Sequence, residues 1–321
     1  MSRIVAIASH LPERLLSNEE LATRFPSWTA SKIYAKTGIL ERRIADHNET
    51  AGDLAFAAAN KLFVSSSLSP DEVDMLLLVT QTPDQALPTT ACRIHHQLGL
   101  PQSCGAIDLN QGCSGYIYGL AIADGLISAG TANTVLLLTA DTYSKLIDPD
   151  DRSVATLFGD GASATLICGD DNPNVSSIGP ILFGTDGGGA DFLRCDFGGW
   201  RASELQHQSL HMDGAAILTF TLSVLPNALN EYLRISGNNL DSYDHVVFHQ
   251  ANRFILEKLY AKIGVTDKGV ISMVDSGNTV SSTIPLALEK IMLEDSRKSC
   301  QKILLSGFGV GLSWGFATIV L

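Results

Sequence analysis

The chain is short of positive charge and of long apolar runs. Among its 321 residues, 22 Lys and Arg stand against 34 Asp and Glu, which gives a formal net charge of −12. A broad surface for DNA or RNA needs clustered cations, so this balance argues against a nucleic-acid partner. No apolar run could span a bilayer, and the one before His10 is too short for the core of a signal peptide. We therefore expect a cytoplasmic protein that binds neither nucleic acid nor membrane.

Cysteine is sparse and scattered. The six cysteines show no CxxC spacing and no close cysteine–histidine cluster: Cys92, Cys104, Cys113, Cys168, Cys195 and Cys300. Zinc sites and disulfide frameworks depend on such spacing, so we expect neither a metal site nor a set of bridges. Most of these side chains should act as small buried hydrophobic groups. Local context then decides whether one of them is special.

What the chain does have is 45% hydrophobic residues in alternating strand and helix patterns. Apolar runs of strand length, separated by segments with helical spacing, predict buried parallel strands at 74–81, 104–110 and 134–141. The second half repeats the scheme, with predicted strands at 244–250, 268–278 and 302–309. Matching element order at matching spacing predicts an α/β chain with two similar halves, 1–170 and 171–321.

Cys113 has the context of a nucleophile. It lies in the segment DLNQGCSGYIYGL, where a buried strand is followed by a tight turn at Gly112 and then by an amphipathic helix. A sulfur at a helix start meets unpaired N–H groups and the positive end of the helix dipole, which favour a thiolate. The other five cysteines lack this context and are interpreted as structural.

Two polar residues end strands of the second half. His249 closes the run DHVVFHQ, and Asn278 follows the run ending in VDSG. The carboxyl ends of parallel strands are where open α/β sheets place their sites. Each residue has an ordinary alternative: His249 could be a satisfied core histidine, and Asn278 a turn or N-cap residue. The equivalent places of Cys113 and Asn278 in the two halves favour a shared site.

The order cysteine, histidine, asparagine is also that of papain-like proteases. Those enzymes carry the cysteine near the mature N-terminus within an aromatic-rich signature and are usually secreted with disulfides. Here Cys113 stands a third of the way along the chain in the sequence GCSGY. A protease is therefore disfavoured.

Six ordered segments resemble the ketoacyl-ACP synthase III family of the thiolase fold. They are YAKTGILERRIA (34–45), NQGCSGYIYGL (110–120), LFGDGASATLI (157–167), FHQANRFI (248–255), SGNTVSSTIPLAL (276–288) and GFGVGLSWG (307–315). The resemblance implies a duplicated five-layer α/β/α/β/α thiolase-like fold, normally a homodimer. It also implies a catalytic set of Cys113, His249 and Asn278.

The resemblance further implies the activity. Cys113 would accept an acyl group from a thioester, and His249 and Asn278 would stabilise the enolate formed when a malonyl thioester loses CO₂. The backbone N–H groups of Cys113 and Val310 would form the oxyanion hole. Acyl-CoA and malonyl-ACP or malonyl-CoA are the expected substrates, with no permanently bound cofactor.

Carrier recognition follows the family only in part. By resemblance, Lys32, Lys36, Arg152 and Asn252 should border the CoA or pantetheine tunnel, although Lys32 stands where the family often has a tryptophan. An acidic acyl carrier protein needs a basic patch on this acidic chain. We expect it at Arg253, Lys258 and Lys262, the last two one helical turn apart.

Two alternatives stay open from the residues alone. One is an acyltransferase of the same fold that moves an acyl group to an alcohol or amine, in secondary metabolism or surface-glycan synthesis. The other is a catalytically silent partner subunit. The presence of Asn278 counts against the first, since acyl transfer alone needs no decarboxylation, and Cys113 counts against the second.

Overall fold

The computed structural model describes residues 2–66, 68–170, 178–199, 209–294 and 300–321. Its strands are β1 (Ser2–His10), β2 (Arg14–Ser17), β3 (Glu41–Ile44), β4 (Met75–Val79), β5 (Gly105–Leu109), β6 (Thr134–Asp141), β7 (Gly161–Gly169), β8 (Ile178–Thr185), β9 (Leu193–Cys195), β10 (Leu210–Met212), β11 (His245–Phe248), β12 (Lys302–Gly309) and β13 (Ser313–Val320). Its α-helices are α1 (Asn18–Arg24), α2 (Ala30–Thr37), α3 (Ala51–Ser65), α4 (Thr90–Gln97), α5 (Gly115–Ser128), α6 (Arg152–Ala155), α7 (Gly214–Ser236), α8 (Arg253–Ile263) and α9 (Thr283–Glu294).

The first sheet has the strand order β1-β7-β6-β4-β5. β4 is parallel to both β5 and β6, while β7 is antiparallel to β1 and β6. The three strands predicted in the first half are therefore confirmed, and they are parallel. Every residue of β6 is buried, as expected for a strand covered on both faces.

The second sheet has the order β11-β12-β13-β8, with β11 parallel to β12 and the other pairs antiparallel. The predicted strands at 244–250 and 302–309 are confirmed as β11 and β12. The carboxyl ends of β5 in the first sheet and of β11 in the second carry the segments of Cys113 and His249, which were predicted to be functional.

The predicted strand at 268–278 is wrong. This segment makes two isolated bridges, Asn278 to Phe158 and Gly269 to Val246 of β11, and no ladder. Beyond the bridge to β11, the Gln250 side chain takes the place of a neighbouring strand: Nε2 donates to the Val270 carbonyl at 3.2 Å, and Oε1 accepts from the Ser272 N–H at 2.7 Å. Because a side chain satisfies this backbone, the apolar pattern alone could not distinguish it from a strand.

Two buried helices separate the sheets. One core cluster joins α5, through residues such as Ile117 and Leu120, to α9, through Ile284 and Leu288, and to strands of both sheets. A second cluster packs α3 and α4 on the outside of the first sheet, and a third packs α7 and α8 on the outside of the second. The layers therefore run α/β/α/β/α, and the predicted fold class is confirmed.

The division into halves at 170/171 stays a prediction. β7 ends at Gly169 and β8 begins at Ile178, while residues 171–177 lie outside the described part of the chain. Neither sheet mixes the two halves, because β8 to β13 all follow that point. Between the sheets, α5 comes from the first predicted half and α9 from the second, and the two pack in one core cluster.

Candidate active site

Cys113 lies in the tight turn between β5 and α5. The Gly115 N–H donates to the Gly112 carbonyl at 2.7 Å, and the helix begins at Gly115. A side chain on Gly112 would meet Gln81 Oε1 and would push the Gln81 amide aside. The Ser114 side chain makes no capping bond. The Gly115 and Ile117 N–H groups at the start of α5 donate to the carbonyls of Gly112 and Ser114 instead.

His249 follows the last residue of β11 and is 2% exposed. Its Nδ1 lies 2.7 Å from Thr283 Oγ1, and that hydroxyl donates to the Val280 carbonyl at 3.1 Å. A hydroxyl that already donates can only accept from the ring, so this arrangement assigns the resting proton to Nδ1. Nε2 then carries a free lone pair.

Asn278 is 4% exposed and is fixed through both ends of its amide. Oδ1 accepts from the Val280 N–H at 2.9 Å, and Nδ2 lies 3.5 Å from the Ala251 carbonyl. Val280 itself has φ of 54°, a strained conformation for a β-branched residue. The backbone of Val280 therefore contacts both sides of the site. Its N–H donates to the Asn278 amide oxygen, and its carbonyl accepts from Thr283, which in turn contacts the His249 ring.

The three predicted catalytic residues border one cavity of about 140 Å³. Cys113, His249 and Asn278 line it, together with Asn252. Phe308 adds an aromatic edge, since its ring meets the His249 ring at 90° with centroids 5.7 Å apart. The structure thus brings together residues that are 136 and 165 positions apart in the chain from Cys113.

The C-terminal glycine-rich turn packs directly over the nucleophile. A Cβ on Gly309, whose φ is 155°, would lie 2.8 Å from Cys113 Cβ and 2.9 Å from its sulfur. The backbone N–H groups of Val310 and of Cys113 itself are hydrogen-bond donors to that sulfur. Ser313 holds the turn, since its Oγ donates to the Val310 carbonyl at 2.8 Å and lies 2.7 Å from Ser114 Oγ. Both amides predicted for the oxyanion hole therefore face the reacting atom.

Burial controls the protonation of the pair. It raises the pKa of the Cys113 thiol to about 12, and the two backbone donors offset only part of this. It lowers the pKa of His249 to about 3. The helix start was expected to favour a thiolate, but desolvation of the charged form has the larger effect. In the resting site both groups are therefore neutral, and a thiolate must form by proton transfer as the substrate reacts.

The three cations predicted for the CoA tunnel gather around Trp28. Lys32 Nζ and Lys36 Nζ each lie 5.5 Å from the indole centroid, and Arg152 Cζ lies 4.5 Å from it. Trp28 was missed in the sequence. It precedes Thr29, the N-cap of α2, so it lies outside the helix and no helical spacing linked it to Lys32 and Lys36.

The predicted docking cations differ in their surroundings. Arg253 is half-buried and donates to the Tyr34 hydroxyl at 3.1 Å. Lys262 Nζ donates to the Leu222 carbonyl at 2.7 Å, a group that Pro226 leaves without its helical donor inside α7. Lys258 is exposed, with Nζ 4.8 Å from the centroid of the Phe254 ring. Lys262 is exposed as well, but its Nζ is held by the backbone of α7.

A second, larger cavity of about 660 Å³ begins beside the nucleophile turn. Val310, Leu193, Gln81 and Tyr143 are among its lining residues. Its walls are formed by loops after β4 and β6 and by the β9 region. Gln81 and Tyr143 were not singled out in the sequence, since neither belongs to a recognised motif there.

Comparison with known proteins gives the family. Residues 107–187 match the sequence model of 3-oxoacyl-[acyl-carrier-protein (ACP)] synthase III, and residues 233–321 match that of its C-terminal domain. The beta-ketoacyl-[acyl-carrier-protein] synthase III 3 of Streptomyces coelicolor is 33% identical over 99% of this chain and 96% of its own length. The corresponding protein of Caldanaerobacter subterraneus is 35% identical over 98% and 96%.

Solved structures agree. A crystal structure of a 3-oxoacyl-(acyl-carrier-protein) synthase III is similar with a TM-score of 0.96 and 45% identity, covering 100% of this chain and 99% of the other. The 3-oxoacyl-(acyl-carrier protein) synthase of Burkholderia xenovorans gives 0.95 and 34%, covering 100% and 94%. Fold and site together define a thiolase-fold condensing acyltransferase. The chain belongs to the 3-oxoacyl-ACP synthase III family.

Proposed function

We propose that Cys113, His249 and Asn278 carry out the condensation for which the family is named. The reaction joins an acyl thioester, through acyl-Cys113, to a malonyl thioester with loss of CO₂ and gives a 3-ketoacyl product. The observation that carries this proposal is the shared cavity, in which the thiol, the imidazole and the amide meet beneath the Gly309–Val310 turn.

In the first half-reaction, Cys113 attacks the thioester carbonyl of the primer. The lone pair on His249 Nε2 accepts the thiol proton and passes it to the departing CoA sulfur. The sulfur–acyl bond to Cys113 forms as the bond to CoA breaks. The amides of Cys113 and Val310 stabilise the tetrahedral oxyanion, and loss of one such donor typically costs about 10²–10³ in rate.

In the second half-reaction, the malonyl thioester loses CO₂ and its carbonyl oxygen becomes an enolate. Asn278 Nδ2–H and a proton on His249 Nε2 donate to that oxygen while the carbanion attacks acyl-Cys113. The Cys113 sulfur–acyl bond breaks as the carbon–carbon bond forms, and the released thiolate takes up a proton from solvent. Thr283 can serve both ring tautomers, because its hydroxyl can accept from Nδ1–H or donate to a bare Nδ1. A ring that is neutral at rest, as the lowered pKa of His249 indicates, can accept the thiol proton in the first step and donate from Nε2–H in the second.

An acyltransferase that lacks condensation is the second candidate. It would need Cys113, His249 and the oxyanion amides but would make no use of a donor aimed at an enolate. The two-ended fixing of the Asn278 amide favours condensation, because a turn residue alone would not need its Nδ2 held at the cavity.

Carrier, assembly and location are part of the same proposal. Relatives are named for acyl carrier protein, and CoA thioesters would enter past Lys32, Lys36 and Arg152 around Trp28, with Asn252 near the pantetheine. We propose a homodimer through β5, because this strand is the edge of the first sheet and carries exposed Ile107.

No helix in the described ranges is long and apolar enough to cross a membrane. A cytoplasmic location stays a prediction.

Asn278→Ala separates the two half-reactions. The variant and the wild type are incubated with an acyl-CoA and then with malonyl-CoA or malonyl-ACP. Intact mass reports acylation of Cys113, and released ¹⁴CO₂ reports decarboxylation. We expect near-normal acylation and a fall in CO₂ release of about 10²-fold.

Asn227→Ala is the matched control, because this asparagine is exposed on α7 and remote from the cavity. It should leave both half-reactions unchanged. Normal CO₂ release from Asn278→Ala would make Asn278 a turn residue and favour the acyltransferase. Acylation that maps to a cysteine other than Cys113 would reject the proposed nucleophile.

A further inference from the structure

The larger cavity is placed to receive the acyl group carried by Cys113. Val310 and Tyr143 line it, and both pack in one buried cluster with Cys113. Its volume of about 660 Å³ exceeds that of the smaller cavity at the His249 side by more than fourfold. Cys113 itself lines the smaller cavity, and an acyl chain on its sulfur that turns towards Val310 would extend past Tyr143.

A polar pair of one buried and one half-buried side chain lines this cavity. The Tyr143 hydroxyl donates to Gln81 Oε1 at 2.5 Å. Burial raises the pKa of Tyr143 well above its ordinary value, so the hydroxyl keeps the proton that it donates. The Tyr143 oxygen can still accept, and Gln81 Nε2 has no acceptor among the described residues. Together they offer an acceptor and a donor to a group in the cavity.

The pair is held in place by the backbone. The Gln81 N–H donates to buried Asp141 at 2.8 Å, and the Thr142 N–H donates to Thr82 Oγ1 at 2.9 Å. These bonds join the loop after β4 to the loop after β6. The position of the Gln81 amide also depends on Gly112, because any side chain there would displace it.

The other walls limit which polar group fits. Leu146, Leu193 and Leu210 form an apolar surface across the cavity. The two cations on the lining already have partners: Lys145 donates to the carbonyls of His47 and Glu49, and Arg194 pairs with Asp191 and Asp196. The polar pair itself carries no charge, so it suits a neutral oxygen better than a carboxylate, and the three leucines are available to the carbon of the chain.

We propose that the primer is an acyl chain with a hydroxyl or carbonyl oxygen near its thioester, bound by Gln81 and Tyr143. This inference rests on the proposed function and names its substrate class. The oxygen takes no part in bond changes. The Cys113 sulfur–acyl bond forms, the CoA sulfur–acyl bond breaks, and the thiol proton ends on CoA.

The test compares primers that differ by one oxygen. The rate of Cys113 acylation, followed by intact mass, gives kcat/KM for acetyl-CoA, butyryl-CoA, 3-hydroxybutyryl-CoA and 4-hydroxybutyryl-CoA. Wild type should prefer one hydroxylated chain over butyryl-CoA by about tenfold or more, because a site built to bind an oxygen rejects the chain that lacks it. In Tyr143→Phe and Gln81→Leu the ratio should fall towards one. Tyr118→Phe, outside the cavity and packed on Phe183, should keep the wild-type ratio.

The outcomes separate this inference from the proposed function. If acetyl- and butyryl-CoA acylate Cys113 and neither hydroxylated chain is preferred, the oxygenated primer is rejected while the condensing function stands. If no thioester acylates Cys113, the proposed function itself fails. A preference that survives in both Tyr143→Phe and Gln81→Leu would place the oxygen elsewhere and overturn the assignment.

Discussion

Thr283 Oγ1 lies 2.7 Å from His249 Nδ1, so one hydroxyl can hold the imidazole whichever ring nitrogen carries the proton. The same hydroxyl donates to the carbonyl of strained Val280, which is tied to Asn278 through its own N–H. His249 and Asn278 are thus linked through a single turn. A change at Thr283 should affect chemistry at Nε2 without touching the substrate.

The first prediction concerns that hydroxyl. Thr283→Val keeps the shape but removes the donor that a bare Nδ1 requires when Nε2 carries the proton. We expect CO₂ release to fall about tenfold or more, with a smaller effect on acylation of Cys113, for which the lone pair on Nε2 suffices. Thr283→Ser should restore the ratio of the two rates. Equal losses in both half-reactions, with no rescue by serine, would reduce Thr283 to a packing residue.

The second prediction concerns the glycine turn. Gly309→Ala would place a methyl group within 2.9 Å of both Cβ and sulfur of Cys113. The turn must shift and carry the Val310 amide with it, so kcat/KM for acylation should fall by more than about tenfold. Gly125→Ala is the control, because nothing lies within 4 Å of its added carbon on α5. That variant should retain activity and gain up to about 1 kcal/mol in unfolding free energy.

The third prediction follows from the protonation of the thiol. The pKa of Cys113 is raised to about 12, so its thiolate fraction increases with pH throughout the neutral and alkaline range. The rate of alkylation by iodoacetamide should rise about tenfold per pH unit between about pH 7 and 10. Mapping the alkylated peptide and subtracting Cys113→Ser removes the contribution of exposed Cys92 and Cys300. A rate that is already level above about pH 6 would reveal a preformed thiolate.

The fourth prediction concerns the carrier. Lys258 is exposed beside Phe254, whose ring is 47% exposed, whereas Lys262 is bonded to the α7 backbone. Lys258→Glu should raise KM for malonyl-ACP severalfold and leave KM for malonyl-CoA nearly unchanged, with the difference shrinking as salt is added.

Lys61→Glu makes the same charge change on α3, on the outside of the opposite sheet, and should leave both KM values alone. Equal changes in the two KM values for Lys258→Glu would mean that the carrier docks elsewhere. Lys262→Met should mainly lower the melting temperature, since it removes the donor to Leu222.

The elements that depend on the periodicity of apolar residues could be predicted from the sequence. The strand–turn–helix around Cys113 and the strand end at His249 follow from apolar runs and glycine placement, and the ordered motifs supplied the fold. Sequence reasoning failed where a side chain replaces backbone, as Gln250 does beside the segment at 268–278. It also missed contacts between distant loops, such as Tyr143 with Gln81, because no spacing rule joins residues that meet only after folding.

Electrostatic expectations from the sequence were less reliable than geometric ones. A helix start at Cys113 predicted a stabilised thiolate, but the depth of burial, which no local pattern reveals, reverses the balance. Lys262 similarly looked like a free surface cation. Its bond to Leu222 depends on Pro226 in another helix, so the two segments had to be seen together.

A neutral thiol that is only 5% exposed is also a poor target for oxidants. Peroxide attacks the thiolate form and needs access to it, so sulfenic acid forms slowest where both are scarce. The exposed Cys92 and Cys300 should be modified first under oxidative stress. Desolvation keeps Cys113 as a thiol until a thioester binds, and it therefore also protects the sulfur from oxidation in the free enzyme.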